Sequence, residues 1–222
     1  MMIYDWPTIL VPATEGFRLD ARTKSGGETL GGREQAVSSG LARFTARLEV
    51  PLHTSAKIRA MRSLLARLDG RANAVRVGPC DCRNGNRVAP RVDGIPYSDD
   101  TRHSDGAGFA QGGVVPGIRD PAAAGATTVR IDLGSTILPV QPGSYIGLGG
   151  YLHIVVGVTP RPADEAADLD IRPRLRTALA AGAAVEWCHP RLPMRLAADD
   201  SGWFDLQLAR YGTASLDLIE VF

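Results

Sequence analysis

The sequence predicts a mainly β protein in which one sheet is covered by a single helix and a second block of strands is inserted as a unit. Three observations carry that expectation. Residues 43–50 alternate strictly, residues 54–69 carry one apolar stripe at helical spacing, and residues 127–190 return to short alternating runs between turns.

The elements follow in order. Residues 1–23 are polar with scattered apolar groups; Tyr4-Asp5-Trp6-Pro7 reads as an anchoring segment with Trp6 as its buried group, and Phe17–Asp20 as a short strand. Residues 24–35 are rich in glycine and polar groups, which predicts a loop or a long exposed hairpin. From Arg43, the residues Phe44, Ala46, Leu48 and Val50 share one face, and Arg43, Thr45, Arg47 and Glu49 the other, the period of a half-buried strand. The helix at 54–69 places Ile58, Met61, Leu64, Leu65 and Leu68 on one stripe. Thr54 or Ser55 can cap its start, and Gly70 suits its C-terminal end. A strand follows at about 73–78.

Residues 79–126 are the least regular part, with many Gly, Pro, Asp and Asn. So long a structureless stretch is unusual inside a compact domain. Short strands and long loops lying on a neighbouring subunit are one reading; local disorder until assembly is the other. The block 127–190 has the strand count of a small barrel. Val129–Leu133 alternates; Tyr145–Leu148, the turn Gly149-Gly150 and Tyr151–Val158 read as a hairpin, broken by Pro160-Arg161-Pro162. Asp168–Pro173 is a further strand, Leu175–Ala180 a helical turn, and Ala183–Trp187 a strand. At the C-terminal end, Arg191–Leu196 leads to a turn at 199–202. Trp203–Arg210 then reads as a strand with Phe204, Leu206 and Leu208 on one face, and Ala214–Val221 closes the sheet begun near the N-terminus. The expected division is 1–78 with 191–222, an irregular region 79–126, and an inserted unit 127–190.

Composition narrows the classes. The chain has 222 residues, enough for one large or two small domains with a real core. At 44% hydrophobic residues it is not disordered by composition. A net charge of +1 gives no global reason to bind nucleic acid or an acidic membrane. Lys24 and Lys57 are the only lysines, so the cations are almost all arginine, which suits protein–protein contacts and also follows from a GC-rich genome. No apolar run is long enough for a bilayer, and no signal peptide is expected at 1–20. Three cysteines are an odd number, which fits a reducing cytoplasm better than a disulfide framework.

Catalytic signals are weak. Cys80, Cys82, Cys188 and His189 could be combined into a zinc site, but one residue between the first pair and none between the second is poor ligand spacing. A disulfide from Cys188 to Cys80 or Cys82 is a geometric question that sequence leaves open. Adjacent residues of a strand point to opposite faces, so Cys188-His189 is a poor nucleophile–base pair. His103 among Asp99, Asp100 and Asp105 hints at a metal or acid–base site, yet such loop clusters are more often solvated turns. Gly147–Gly150 lacks the strand-to-helix context of a phosphate loop. Lys57, Arg59, Arg62 and Arg67 on the helix suit a solvated face or subunit contact better than nucleic acid. The expectation is therefore no catalytic residue, no metal and no cofactor.

The leading Trp6-Pro7, the run Ala42–Leu52, the helix end Leu64–Asn73, and the later series Gly143–Ile146, Asp170–Arg176 and Pro193–Leu196 together resemble a family of tailed-bacteriophage and prophage tail proteins. The likeness covers most of the chain apart from about 79–126. It rests on pattern and order rather than on a catalytic motif. Ser144 departs from it, since an aspartate is expected in that glycine turn.

The resemblance implies a distal tail or minor tail protein of the baseplate in a long, non-contractile, siphophage-type tail. Its fold would be a tail-tube-like β-sandwich with one flanking helix plus an inserted small β-barrel. It would form a ring, often a hexamer, joining the tail tube to the baseplate hub and fibre proteins. DNA would pass only in transit through the lumen, and the chain would insert into no membrane itself. Such a protein is assembled in the host cytoplasm and resides at the virion tail tip. A ring needs heterologous contacts that close by rotation, and residues 24–35 and 79–126 are the expected reach to neighbours. Two rivals come from other classes. The inserted barrel could recognise a cell-surface glycan through Tyr145, Tyr151 and Trp187, or the chain could be a cell-wall hydrolase using Cys188.

Overall fold

The computed structural model describes residues 1–28, 30–38, 40–80, 99, 101–104, 117–132, 140–187, 189–208 and 210–222. It is mainly β, with curled sheets and, among the described residues, one α-helix. The strands in chain order are β1 (Ile3–Asp5), β2 (Thr14–Asp20), β3 (Thr23–Glu28), β4 (Glu34–Ser38) and β5 (Arg43–Leu52), followed by α1 (Ser55–Leu68) and β6 (Ala74–Val77). Then come β7 (Thr128–Asp132), β8 (Tyr145–Leu148), β9 (Tyr151–Arg161), β10 (Ala166–Arg172), β11 (Val185–Glu186), β12 (Leu192–Leu196) and β13 (Gly212–Glu220). The chain divides into two compact units, Met1–Cys80 with Arg191–Phe222, and Asp81–Pro190.

The first unit is built on a six-stranded sheet in the order β1-β6-β12-β13-β5-β2. The β1–β6 pair is parallel and the others antiparallel. The alternation of β5 determines its register: Phe44, Ala46, Leu48, Val50 and Leu52 are all buried. Leu216 of β13 lies opposite Leu48, and Leu218 lies between Ala46 and Leu196. This apolar row is the sheet's contribution to the core. The buried stripe of α1 is Ile58, Met61, Leu64 and Leu68, each worth about 1.5–3 kcal/mol of transfer free energy.

Local chemistry fixes both ends of α1. The Thr54 hydroxyl accepts from the Lys57 N–H at 3.3 Å, satisfying one of the first-turn donors. At the other end the left-handed turn begins at Asp69 (φ 50°) rather than at Gly70, which continues it at φ 61°. Gly70 is needed for a second reason: a Cβ there would stand 2.8 Å from Asp199 Oδ1, the oxygen that accepts from the Arg71 N–H. Asn73 then joins the helix end to the N-terminal segment. Its amide donates to the Arg67 carbonyl at 2.9 Å, and its carbonyl accepts from the Met2 N–H at 2.9 Å.

Several expectations are corrected here. Trp6 is half-buried, its indole N–H donating to the Leu10 carbonyl at 2.6 Å, and Leu10 is the residue that enters the core. Residues 203–208 form no strand of the sheet. Both edges of β13 are already taken by β12 and β5, so this apolar run cannot pair with the strand that follows it. Residues 24–35, by contrast, take one of their two expected forms, lying largely in the exposed hairpin β3–β4, whose described residues are all exposed.

The second unit holds the antiparallel sheet β11-β8-β9-β10-β7. Residues 117–122, which the sequence reading leaves in the irregular stretch, link its two edges. Asp132 donates to the Gly117 carbonyl and Arg119 to the Arg130 carbonyl on one side. On the other side, Ile118 donates to the Ala183 carbonyl, and Ala183 leads directly into β11. The interior is filled by Ile118, Val129, Ile131, Ile146, Leu169 and Ile171, among others. Leu175–Ala180 is irregular rather than helical: Leu175 and Leu179 donate to the Ala126 and Ala122 carbonyls. β9 runs through Pro160 to Arg161, because a proline at the strand's end meets no neighbour's demand for its missing N–H; the break comes at the short 3-10 turn Pro162–Asp164. The Gly143 turn forms with Ser144 in it, the Ser144 hydroxyl accepting from the Gln141 N–H at 3.2 Å.

Candidate functional site

Among the described residues, those suggested for catalysis are not brought together. Cys80 is exposed, and its backbone N–H donates to the Glu15 carboxylate at 2.9 and 3.0 Å. Cys82 and Cys188 lie outside the described residues, as does any disulfide involving them. His189 is exposed and its backbone N–H donates to Glu186 Oε1 at 3.0 Å. His103 is exposed, Asp100 and Asp105 lie outside the described residues, and Asp99 is engaged in a turn of its own. Its carboxylate accepts from the Thr101 hydroxyl at 2.6 Å and from the Thr101 N–H at 3.1 Å, which holds it below the usual aspartate range. Among the described residues no three His, Cys, Asp or Glu side chains are grouped to hold a metal ion.

Gly147–Gly150 forms the β8–β9 turn, with Gly149 at φ 58° and Gly150 at φ 83°. Two positive φ values in a two-residue connection are the geometry that matches strand twist. The turn leads into β9 and opens no helix. The aromatic trio also fails as a sugar platform. Trp187 is 4% exposed and belongs to the core, while Tyr145 and Tyr151 are half-buried at opposite ends of the β8–β9 ladder.

Two polar features of the second unit were invisible in the sequence. Asp168 on β10 accepts from Arg130 Nε at 2.8 Å and from Arg161 Nε at 2.5 Å, and Arg130 reaches Asp120 at 3.0 Å. Register makes this cluster, since Asp168 stands directly opposite Arg130 on β7. The hydrogen bond from Arg130 holds the Asp168 carboxyl below its usual range, and the same bond raises the Arg130 guanidinium. A carboxylate with both oxygens occupied by guanidinium is a poor base, so the cluster reads as a clamp across three strands.

The second feature is His153 on β9, wholly buried. Burial pushes its imidazole down to about 4; the nearby Arg176 charge pushes the same way, against the opposing effect of the Tyr151 carbonyl. Nδ1 lies 3.2 Å from that carbonyl. Nε2 has no hydrogen-bond partner among the described residues, although the Arg174 backbone is close by. With no exposed surface, the ring is walled off from solvent.

Among the described residues of the first unit there is an open groove of about 380 Å³. It is lined by Arg62 and Leu65 of α1 and by Gly202, Trp203, Phe204, Asp205 and Leu206. Gly202 (φ 90°) brings the loop against the helix; a Cβ there would stand 2.7 Å from Leu65 Cδ2. Trp203 is 78% exposed. An apolar groove with one cation, one anion and a projecting tryptophan can bind a surface but holds no set of groups for bond chemistry. The sequence placed Trp203 at the start of a strand and so concealed this exposure.

No protein-family model matches the chain, and no curated protein matches it in sequence. No described helix is long and apolar enough to cross a membrane.

Proposed function

We propose that this chain is a structural component of a tail tip: a distal tail protein that forms a ring, with six copies expected, at the end of a long non-contractile phage tail. In this reading the ring joins the tail tube protein to the baseplate hub and fibre proteins, DNA passes only through its lumen, and no catalysis is involved. The finer fold belongs to the same reading. The curled six-stranded sheet with α1 is taken as a tail-tube-like sandwich, and the second unit, its edges linked through residues 117–122, as an inserted small barrel.

The observation that carries the reading is the place of the insertion. β6 and β12 are antiparallel neighbours in one sheet, yet the whole Asp81–Pro190 unit is threaded between them in sequence. A scaffold that accepts a folded unit inside one strand connection, and projects a wholly exposed hairpin, is suited to assembly rather than to enclosing a substrate.

The test is the mass of the purified protein by light scattering, with negative-stain images of the same sample. A closed ring with a central hole supports the reading and fixes the symmetry. Persistent monomers, alone and in mixtures with tube and hub proteins, overturn it.

A further inference from the structure

We infer that the groove between α1 and residues 202–206 is the seat for the β3–β4 hairpin tip of a second copy of this chain. This rests on the ring reading and specifies the contact that would build it.

The hairpin supplies the first half of the argument. Its described strand residues are all exposed, and β3 and β4 pair only with each other among the described strands. An isolated two-stranded hairpin is marginally stable in water, so this one gains from a surface to lie on. Leu30 stands fully exposed at its tip and Val37 is exposed on β4. Register places Glu28 directly opposite Glu34. Like charges across a strand pair are unfavourable, and a neighbouring cation relieves them.

The groove supplies the second half. It offers Leu65, Phe204 and Leu206 as an apolar lining and Trp203 as an exposed anchor, the residue types that dominate binding energy at interfaces. Its rim carries Arg62. The exposed side of α1 adds Arg59 and Arg67, and the helix contains no acidic residue. The occupant this surface fits is therefore an apolar tip flanked by paired carboxylates, which describes Leu30 between Glu28 and Glu34. Tip and groove are different patches of one chain, so the contact is heterologous and propagates around a ring.

The experiment uses the full chain with a benzophenone amino acid in place of Leu30, mixed with isotope-labelled wild-type protein and irradiated. The expected result is an adduct between light and heavy chains at residues 202–206. Adducts elsewhere, or no intermolecular adduct at any concentration, overturn the inference. Charge exchange gives an independent reading in sedimentation: Arg62→Glu weakens self-association about tenfold, as does Glu28→Lys with Glu34→Lys, and combining all three restores it to within about threefold. Equal weakening in the combined variant also overturns it. The ring is judged separately by the images. Closed rings without the 202–206 adduct sink the contact and leave the ring, whereas the adduct in open chains does the reverse.

Discussion

The carboxylate of Glu220 accepts a hydrogen bond from the Phe44 backbone N–H at 2.7 Å, joining positions 176 residues apart. The bond sits where the β5–β13 ladder runs out, since the last paired residues are Thr45 and Ile219. The bond lies at the edge of the core, on Phe44, which is fully buried. Removing one partner of a buried hydrogen bond costs roughly 1–3 kcal/mol. Glu220→Ala is expected to lose about that much stability in urea unfolding and to speed hydrogen exchange at the Phe44 amide. Glu220→Gln, whose amide oxygen still accepts, should lose clearly less. Equal losses in the two variants would show that the carboxylate's charge, rather than its acceptor, matters.

His153 makes the second unit sensitive to acid. Its folded value, about 4, lies below the ordinary 6.5, so the unfolded chain binds the proton more readily. The stability from the neutral buried ring is fully present above pH 6.5. It falls as the pH drops from 6.5 towards 4 and is lost below that. A depression of this size corresponds to roughly 3 kcal/mol at most. His153→Leu should flatten that part of the pH profile, read from hydrogen exchange in β8 and β9. A profile unchanged by the substitution would assign the acid response to other groups.

The β8–β9 turn separates two kinds of glycine requirement. A Cβ on Gly149 would meet Thr177 Oγ1 at 2.6 Å, whereas a Cβ on Gly150 meets nothing within 4 Å. Both have positive φ. Gly150→Ala should therefore cost only the backbone strain, about 1 kcal/mol, and Gly149→Ala that strain plus the contact. Thermal unfolding of the two variants should rank Gly149→Ala as the less stable, and the reverse order would contradict the packing described.

Much of the first unit was legible because its signals are local. Phe44 to Val50 on β5 and Ile58 to Leu68 on α1 show their periods within one element, and Thr54 announces the cap. The β8–β9 hairpin was legible for the same reason, through its paired glycines. The failures share a different cause. Residues 203–208 alternate like a strand, but whether an alternating run pairs depends on a free sheet edge, and β13 has none. Leu175–Ala180 looked helical until Ala122 and Ala126 supplied partners from about fifty positions away. The Asp168 clamp and the burial of His153 likewise depend on register between distant strands. In the groove, Arg62 and Leu65 were read as parts of a helix face, whereas Trp203 acquires its exposure only from the failed strand.

That contrast between helix face and loop gives the last prediction. Leu64 and Trp203 are both large apolar residues of the first unit, but Leu64 is buried and Trp203 is 78% exposed. Truncating a buried leucine removes transfer free energy and leaves a cavity, so Leu64→Ala should cost about 2–5 kcal/mol. Trp203→Ser removes little buried surface and should stay within about 0.5 kcal/mol of the parent. Denaturant unfolding of the two variants checks the difference. A large loss in Trp203→Ser would mean that the tryptophan is structural within its own copy, and the groove would then lose its claim as a surface kept for a partner.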